Sequence, residues 1–400
     1  MKIKGEIEGL HDELIQLRRD FHRHPELGFE EHRTSAIIAK YLGGLGFEVK
    51  RGLAKTGVVG LLRGDQPGPT LLLRSDMDAL PIQEENDLPF KSVNDGKMHA
   101  CGHDAHMAML LIAAKILLNH RDEIRGKIKF AFQPNEEEAG AELMVEDGVL
   151  EDPGVDAALG LHIFSPLKTG EIGIVGGPIM ASSYYFKLTI RGKGGHGGAP
   201  HRAVDPIICA ANVVQAVQSI QTREIDALKP TVITFGKINC GTFNIVIPEE
   251  IELEGSIRCL HDDDEGIRRR FSEIIENICA AYRTKYELKF KCGNRLLRND
   301  PEMTELVRSV AERVVKAEDV IGSGIRTMVG EDFAEFALRV PSAFYFIGTG
   351  NEGKGTDYPH HHARFNIDED SLPIGVEMHV RTALEYFKAH NPSSNISSPP

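Results

Sequence analysis

Apolar positions fall at helical spacing from the first residues toward Arg19, and the longer apolar run Met107–Leu118 predicts a buried helix. Between these lie short aliphatic runs at Val58–Leu62, Thr70–Arg74, Lys127–Phe132 and Ala157–Leu161, each with the length and composition of a strand. Helical and strand patterns that alternate in this way predict an α/β layer built on a doubly wound sheet.

Beyond residue 182 the style changes. Tyr184–Arg191 alternates as a half-buried strand and is followed by the glycine-rich loop Gly192–Gly198 and a helix over Asp205–Thr222. Strands at Thr231–Ile238 and Ile251–Arg258, a helix at Asp264–Arg283 and a strand at Tyr286–Cys292 complete a β-α-β-β-α-β order, which resembles the ferredoxin-like unit. The helix Pro301–Val315, the segment Phe333–Leu338 and the strand Ala343–Ile347 then restore the first style. The expected organisation is a large α/β domain formed by 1–182 and 293–390, with an inserted α+β small domain at 183–292. The Ser- and Pro-rich tail 391–400 reads as disordered.

Length supports two domains, because 400 residues exceed what one hydrophobic core usually serves, at a prior of ~150 residues per domain. An excess of 59 acidic over 46 basic residues argues against nucleic acid or an anionic membrane as partner. No apolar stretch approaches the ~20 residues of a membrane span. The start Met1–Glu8 carries no apolar signal core, so a cytoplasmic location is expected. The six cysteines lie far apart, at 101, 209, 240, 259, 279 and 292, which predicts reduced thiols. The glycine-rich loop has neither P-loop spacing nor the dinucleotide fingerprint, so phosphate binding finds no support in it.

The candidate chemistry is concentrated in His99-Ala-Cys-Gly-His-Asp-Ala-His106 and Gln133-Pro-Asn-Glu-Glu-Glu138. Thiolate, imidazole and carboxylate together suit zinc, manganese, cobalt or nickel, whereas calcium and magnesium would want oxygens only. Cys101 and His103 stand two apart where a helix begins. The carboxylates follow the end of a strand, where open α/β sheets place their sites. Adjacent Glu136 and Glu137 can point apart, one as ligand and one as base. Two rival readings of the residues stay open: a Cys101 nucleophile with His103 as base, and a metal-bearing binding or regulatory protein without catalysis.

Arg18-Arg-Asp-Phe-His-Arg-His-Pro-Glu-Leu-Gly-Phe29, Arg74-Ser-Asp-Met-Asp-Ala-Leu-Pro81, His99–His106, Gln133–Glu137, Gly194–His201, Gly330-Glu-Asp-Phe333 and His360–Phe365 occur in order along the chain. Together they resemble the di-metal aminoacylase and carboxypeptidase family, in the branch of hippurate hydrolases, N-acyl-amino-acid amidohydrolases and indole-acetyl-amino-acid hydrolases. The resemblance implies two divalent metal ions per subunit, held by Cys101, His103, Glu137, His162 and His361, with Glu136 as general base. It implies that Asp78 steadies a ligand histidine, with Asp76 standing where related branches place another histidine. His196 would polarise the substrate carbonyl, and Arg258 and Asn244 would meet the substrate carboxylate. Further implications are a small N-acyl amino acid or short peptide as substrate and a homo-oligomer, dimer or tetramer, formed through the small domain.

Two departures from the family pattern stand out. Asn244-Ile-Val-Ile-Pro248 is one residue longer than the usual Asn-Val-Ile-Pro, and Glu138 replaces a glycine after the paired glutamates. The expected reaction is metal-assisted amide hydrolysis, with Glu136 taking the proton of water and passing it to the leaving amine.

Overall fold

A computed structural model describes residues 2–390; the tail expected to be disordered lies outside the described residues. The described residues divide into two compact units, one of residues 2–177, 298–325 and 332–390, the other of 178–297 and 326–331. The segment 326–331 belongs to the second unit, although sequence pattern alone would leave it in the first.

In chain order the first unit begins with α1 (Lys2–Gly9), α2 (His11–Arg23) and α3 (His32–Gly44), then β1 (Glu48–Leu53), β2 (Gly57–Arg63) and β3 (Gln66–Asp76). It continues with α4 (His103–Asn119), β4 (Arg125–Gln133), β5 (Ala157–Lys168) and the short β6 (Ile172–Gly173). The second unit supplies β7 (Ser182–Arg191), β8 (Gly195–His196), α5 (Pro206–Ala216), β9 (Thr231–Cys240), β10 (Val246–Ile247), β11 (Glu250–Cys259), α6 (Asp264–Ala281) and β12 (Lys285–Cys292). The first unit resumes with α7 (Pro301–Val314), β13 (Val320–Ile321), β14 (Ser342–Gly350) and α8 (Leu372–Ala389).

One eight-stranded sheet, in the order β1-β2-β4-β3-β5-β14-β6-β13, organises the first unit. Its central strands β4, β3, β5 and β14 are parallel; at one flank β1 and β2 pair antiparallel to their neighbours, and at the other β6 is antiparallel to β14 and parallel to β13. The parallel centre is buried on both faces, so Leu71–Leu73 and Phe130–Phe132 read as continuous apolar runs. Helix α4 is buried over nearly its whole length, as expected for a helix that is apolar all round. It packs between the sheet and helices α2 and α8.

The second unit is a four-stranded antiparallel sheet in the order β9-β11-β7-β12. In chain order that is second, third, first, fourth, with a helix after the first strand and another after the third, the ferredoxin-like arrangement. Phe186, Leu188 and Ile190 of β7 point to a core shared with Cys209 and Val213 of α5 and Phe271 and Ile275 of α6. Asp205 caps α5 by accepting the Ile207 N–H, and Pro206 occupies its first turn. This helix ends at Ala216 rather than at Thr222, because residues 220–224 form a wider π turn. No helix among the described residues is long and apolar enough to cross a membrane.

Candidate metal centre

The carboxyl ends of the parallel strands carry the polar cluster. Strand β3 delivers Asp76 and then Asp78. Asp76 stands level with Gln133, the last residue of β4, beyond which Glu136–Glu138 form a single 3-10 turn. His162 pairs with Phe346 inside β5, which runs on to Lys168 instead of ending at the histidine as its sequence suggested. Gly102 makes the turn between Cys101 and His103: its φ is +90°, and a Cβ there would stand 2.1 Å from Ile163 Cδ1. His103 is therefore the first residue of α4.

Cys101, His103 and His162 are buried, with Sγ and ring nitrogens all within 4.8 Å of one another. The ligand atoms of Cys101, half-buried Glu137 and exposed His361, and those of His103, Glu136 and Glu137, lie equally close to one another. His162 Nε2 lies 3.4 Å from Cys101 Sγ, close to the roughly 3.5 Å that separates two ligands on one tetrahedral ion. His361 Nε2 stands 3.1 Å from Glu137 Oε1, and His361 holds a left-handed backbone at φ +66°.

Carbonyl partners set the tautomers, because a carbonyl only accepts. Nδ1–H of His103 donates to the Asp78 carbonyl at 2.9 Å, and Nδ1–H of His162 donates to the Ile163 carbonyl at 2.5 Å. Both imidazoles thus turn Nε2 toward Cys101 and the glutamates. His103 Nε2 is buried and makes no hydrogen bond, a costly state for a polar atom unless something else meets it. The donor set fits divalent metal: two oriented imidazoles, a thiol and carboxylates, with the far ring nitrogens already anchored.

Charge follows the same logic. Burial, reinforced by the carboxylates of Glu137, Glu136 and Asp76, pushes the Cys101 thiol well above its ordinary range. Burial would lower His103, but Asp76 and Asp78 outweigh it and raise it to about 10, so without a metal the ring also carries a proton on Nε2, which a bound cation would displace. Burial would likewise raise Asp76, yet His103, His106 and Arg74 hold it well below the usual carboxylate range. The pocket carries concentrated negative charge around a thiol that needs a cation to ionise.

Several further residues of these motifs have definite places. His106 donates to Asp76 at 2.6 Å and accepts the Ile163 N–H at 2.9 Å, linking β3 to β5. Arg74, Gln133 and Asp332 form a buried network behind the glutamate turn, with Arg74 to Asp332 at 2.9 Å and Asp332 accepting the Ala141 N–H at 2.8 Å. Both motifs were visible in sequence, but nothing local pairs residues so far apart. His360 is the half-hidden neighbour of His361, with Nδ1 4.0 Å from Cys101 Sγ. Glu138, the departure from the family pattern, is exposed. His99 is buried without a hydrogen-bond partner, and burial first of all lowers its pKa to about 4.

The other expected residues lie in the second unit. Exposed His196 sits on β8, paired with Val246, and its Nδ1 accepts the Gly198 N–H at 2.9 Å. Asn244 is exposed in the turn just before β10, where Gly197 N–H bonds the Ile245 carbonyl at 2.8 Å. The Arg258 guanidinium, on β11, donates to the Met328 carbonyl at 2.9 Å. His196 and the Asn244 turn are thus neighbours, while Arg258 occupies the four-stranded sheet.

Residues 72–385 match the model of peptidase family M20/M25/M40, and the chain belongs to that family. It is 41% identical over 397 residues to thermostable carboxypeptidase 2 of Saccharolobus solfataricus, covering 96% of this chain and 98% of the relative. It is 43% identical over 307 residues to the N-acyl-L-amino acid amidohydrolase of Geobacillus stearothermophilus, covering 75% and 82%. The crystal structure of a dinuclear metal binding M20 peptidase from Bacillus subtilis superposes with a TM-score of 0.83 at 32% identity, covering 95% of this chain and 99% of that one.

Proposed function

We propose that this protein is a metal-dependent amidohydrolase that cleaves N-acyl amino acids into a carboxylic acid and a free amino acid. The observation that carries the reading is the convergence of Cys101, His103 and His162, with Nδ1 of both imidazoles anchored on carbonyls and Nε2 turned inward, on the carboxylates of Glu136 and Glu137. In this reading Cys101, His103, Glu137, His162 and His361 hold two divalent ions of zinc, manganese, cobalt or nickel. When bound, such ions acidify water and polarise a carbonyl.

The chain's own residues do the rest. Glu136, buried beside the ligand Glu137, accepts the proton of the attacking water and returns it to the leaving amine. His196 receives a hydrogen bond at Nδ1, so its proton resides on Nε2. That tautomer suits donation to a carbonyl oxygen as charge develops there. Arg258 keeps part of its fork free of the Met328 carbonyl for a substrate carboxylate, with exposed Asn244 a second candidate for that contact.

The raised thiol of Cys101 speaks against its acting as a nucleophile. A peptide-cleaving carboxypeptidase is the second reading, favoured by the Saccharolobus relatives of that name. Assembly into a homo-oligomer through the second unit, in the cytoplasm, belongs to the same proposal. Edge strand β9 and the turn after it expose Ile238, Phe243 and Ile245.

The test is to reconstitute the chain with manganese, zinc, cobalt or nickel and offer N-acetyl, N-benzoyl and indole-acetyl amino acids beside short peptides. Released amino acid is measured with and without chelator. Chelator-sensitive release from acyl amino acids supports the amidohydrolase, faster release from peptides favours the carboxypeptidase, and release insensitive to chelator refutes both.

A further inference from the structure

The motif Arg18–Phe29 has no part in the chemistry above, yet it touches the centre's supports at three points. Arg18 and His22 lie on the buried face of α2. Arg18 Nε is 2.9 Å, and His22 Nδ1 2.8 Å, from the same oxygen of Asp104, the residue after His103. The other ring nitrogen of His22 meets Glu84 at 3.2 Å, and the Arg18 fork reaches Glu369 at 3.1 Å and Asn366 at 3.2 Å.

A few residues on, the Glu26 carbonyl accepts the N–H of Ala79 at 2.8 Å, and Leu27 bridges to Ala79, the residue after Asp78. Finally, Glu31 accepts the N–H of Asn135 at 3.0 Å and the hydroxyl of Thr56 at 2.5 Å. Asn135, the residue before Glu136, holds φ +54°. Gly28 lies flat against it: a Cβ on Gly28 would fall 1.8 Å from Asn135 Oδ1. Asp104, Ala79 and Asn135 come from three separate segments, and each is the chain neighbour of a residue in the centre.

We propose that residues 18–31 form a positioning strap that sets His103, Asp78 and Glu136 relative to one another through Asp104, Ala79 and Asn135. This rests on the metal-centre reading above. Stability alone explains the strap poorly. Burying arginine, histidine and two carboxylates costs desolvation that an apolar cluster of the same volume would avoid, whereas the His22 hydrogen bond and the Arg18 ion pair to one carboxylate hold a helix start in register. Arg18, His22, Gly28 and Glu31 act through other residues and are positioning residues only.

The experiment uses the full chain, with cobalt(II) as probe ion. His22→Gln is expected to weaken cobalt binding about tenfold and to alter the visible spectrum of the bound ion, as for groups that orient metal ligands. Gly28→Ala is expected to bind cobalt like the unsubstituted chain, while kcat toward an N-acyl amino acid falls about tenfold and KM changes less than about twofold. Arg18→Lys, which keeps a cation beside Asp104 and loses the fork, is the milder second probe of the first arm should His22→Gln not fold. Circular dichroism of the metal-free proteins checks folding. Cobalt affinity and spectrum unchanged in His22→Gln and Arg18→Lys, or kcat unchanged in Gly28→Ala, would overturn the strap. If the unsubstituted chain bound no cobalt, the metal-centre reading itself would fall and the strap with it.

Discussion

Asp78 joins the imidazole of His103 to the turn of Glu136. Its carbonyl accepts Nδ1–H of the histidine at 2.9 Å, and its carboxylate accepts the N–H groups of Glu136 at 3.0 Å and Glu137 at 3.2 Å. An amide in place of the carboxylate would present an N–H group to one of those donors. Asp78→Asn is therefore expected to lower metal affinity by about 10- to 100-fold, read by competition with a chromogenic chelator.

In the proposed reaction, proton transfer turns on Glu136. Glu136→Gln keeps the shape of the side chain and leaves Cys101, His103 and Glu137 in place. Metal content should stay near that of the unsubstituted chain while kcat drops at least ~100-fold. Turnover equal to the unsubstituted enzyme would remove Glu136 from its role.

Cys101 stands in two of the groups that could hold a metal ion, with His103 and His162 and with Glu137 and His361. Cys101→Ser replaces a soft thiolate donor by a hydroxyl and should reduce the metal retained after gel filtration, measured by elemental analysis. Unchanged metal content would show that the thiol is no ligand.

A pH prediction comes from outside the centre. Burial works to raise Glu13, but hydrogen bonds from Lys115 and Tyr41, each 2.7 Å, outweigh it and hold the carboxyl below its ordinary value. A carboxyl lowered on folding stabilises the folded state above its unfolded pKa of about 4.3, and that contribution is lost as pH falls through the folded value. The pair is partly exposed, so Glu13→Gln should cost only about 0.5–1 kcal/mol at pH 7. In urea titrations the difference should shrink as pH drops below about 4.3; a difference constant with pH would contradict the linkage.

Ala139 follows the glutamate turn with φ +68°, a left-handed conformation that costs a residue with a Cβ about 1–2 kcal/mol. Ala139→Gly should stabilise the fold by about 1 kcal/mol, a rise in denaturation midpoint at unchanged slope. Destabilisation would mean that the methyl contributes packing worth more than the strain.

Much of the architecture was legible because it is written in local patterns. The apolar run of α4, the aliphatic runs of β2 to β5 and the alternation along β7 each report their own burial, and the order of strands and helices after residue 182 already named the ferredoxin-like arrangement. Where the reading erred, the deciding force was not local. The strand through His162 continues because β14 pairs with it as far as Lys168, and α5 stops early at a π turn.

The sequence by itself determined the ligand chemistry: a thiol, imidazoles and paired carboxylates, placed where a helix starts and a strand ends. Only the tertiary structure decided which nitrogen each imidazole presents, since the carbonyl that orients His103 belongs to Asp78, 25 residues away. It also decided that Cys101 meets His162 across 61 residues, and that Arg74 meets Asp332 across 258. Periodicity and spacing record what a residue does to its near neighbours. Hydrogen bonds between distant segments exist only once the parallel sheet has brought the ends of its strands together.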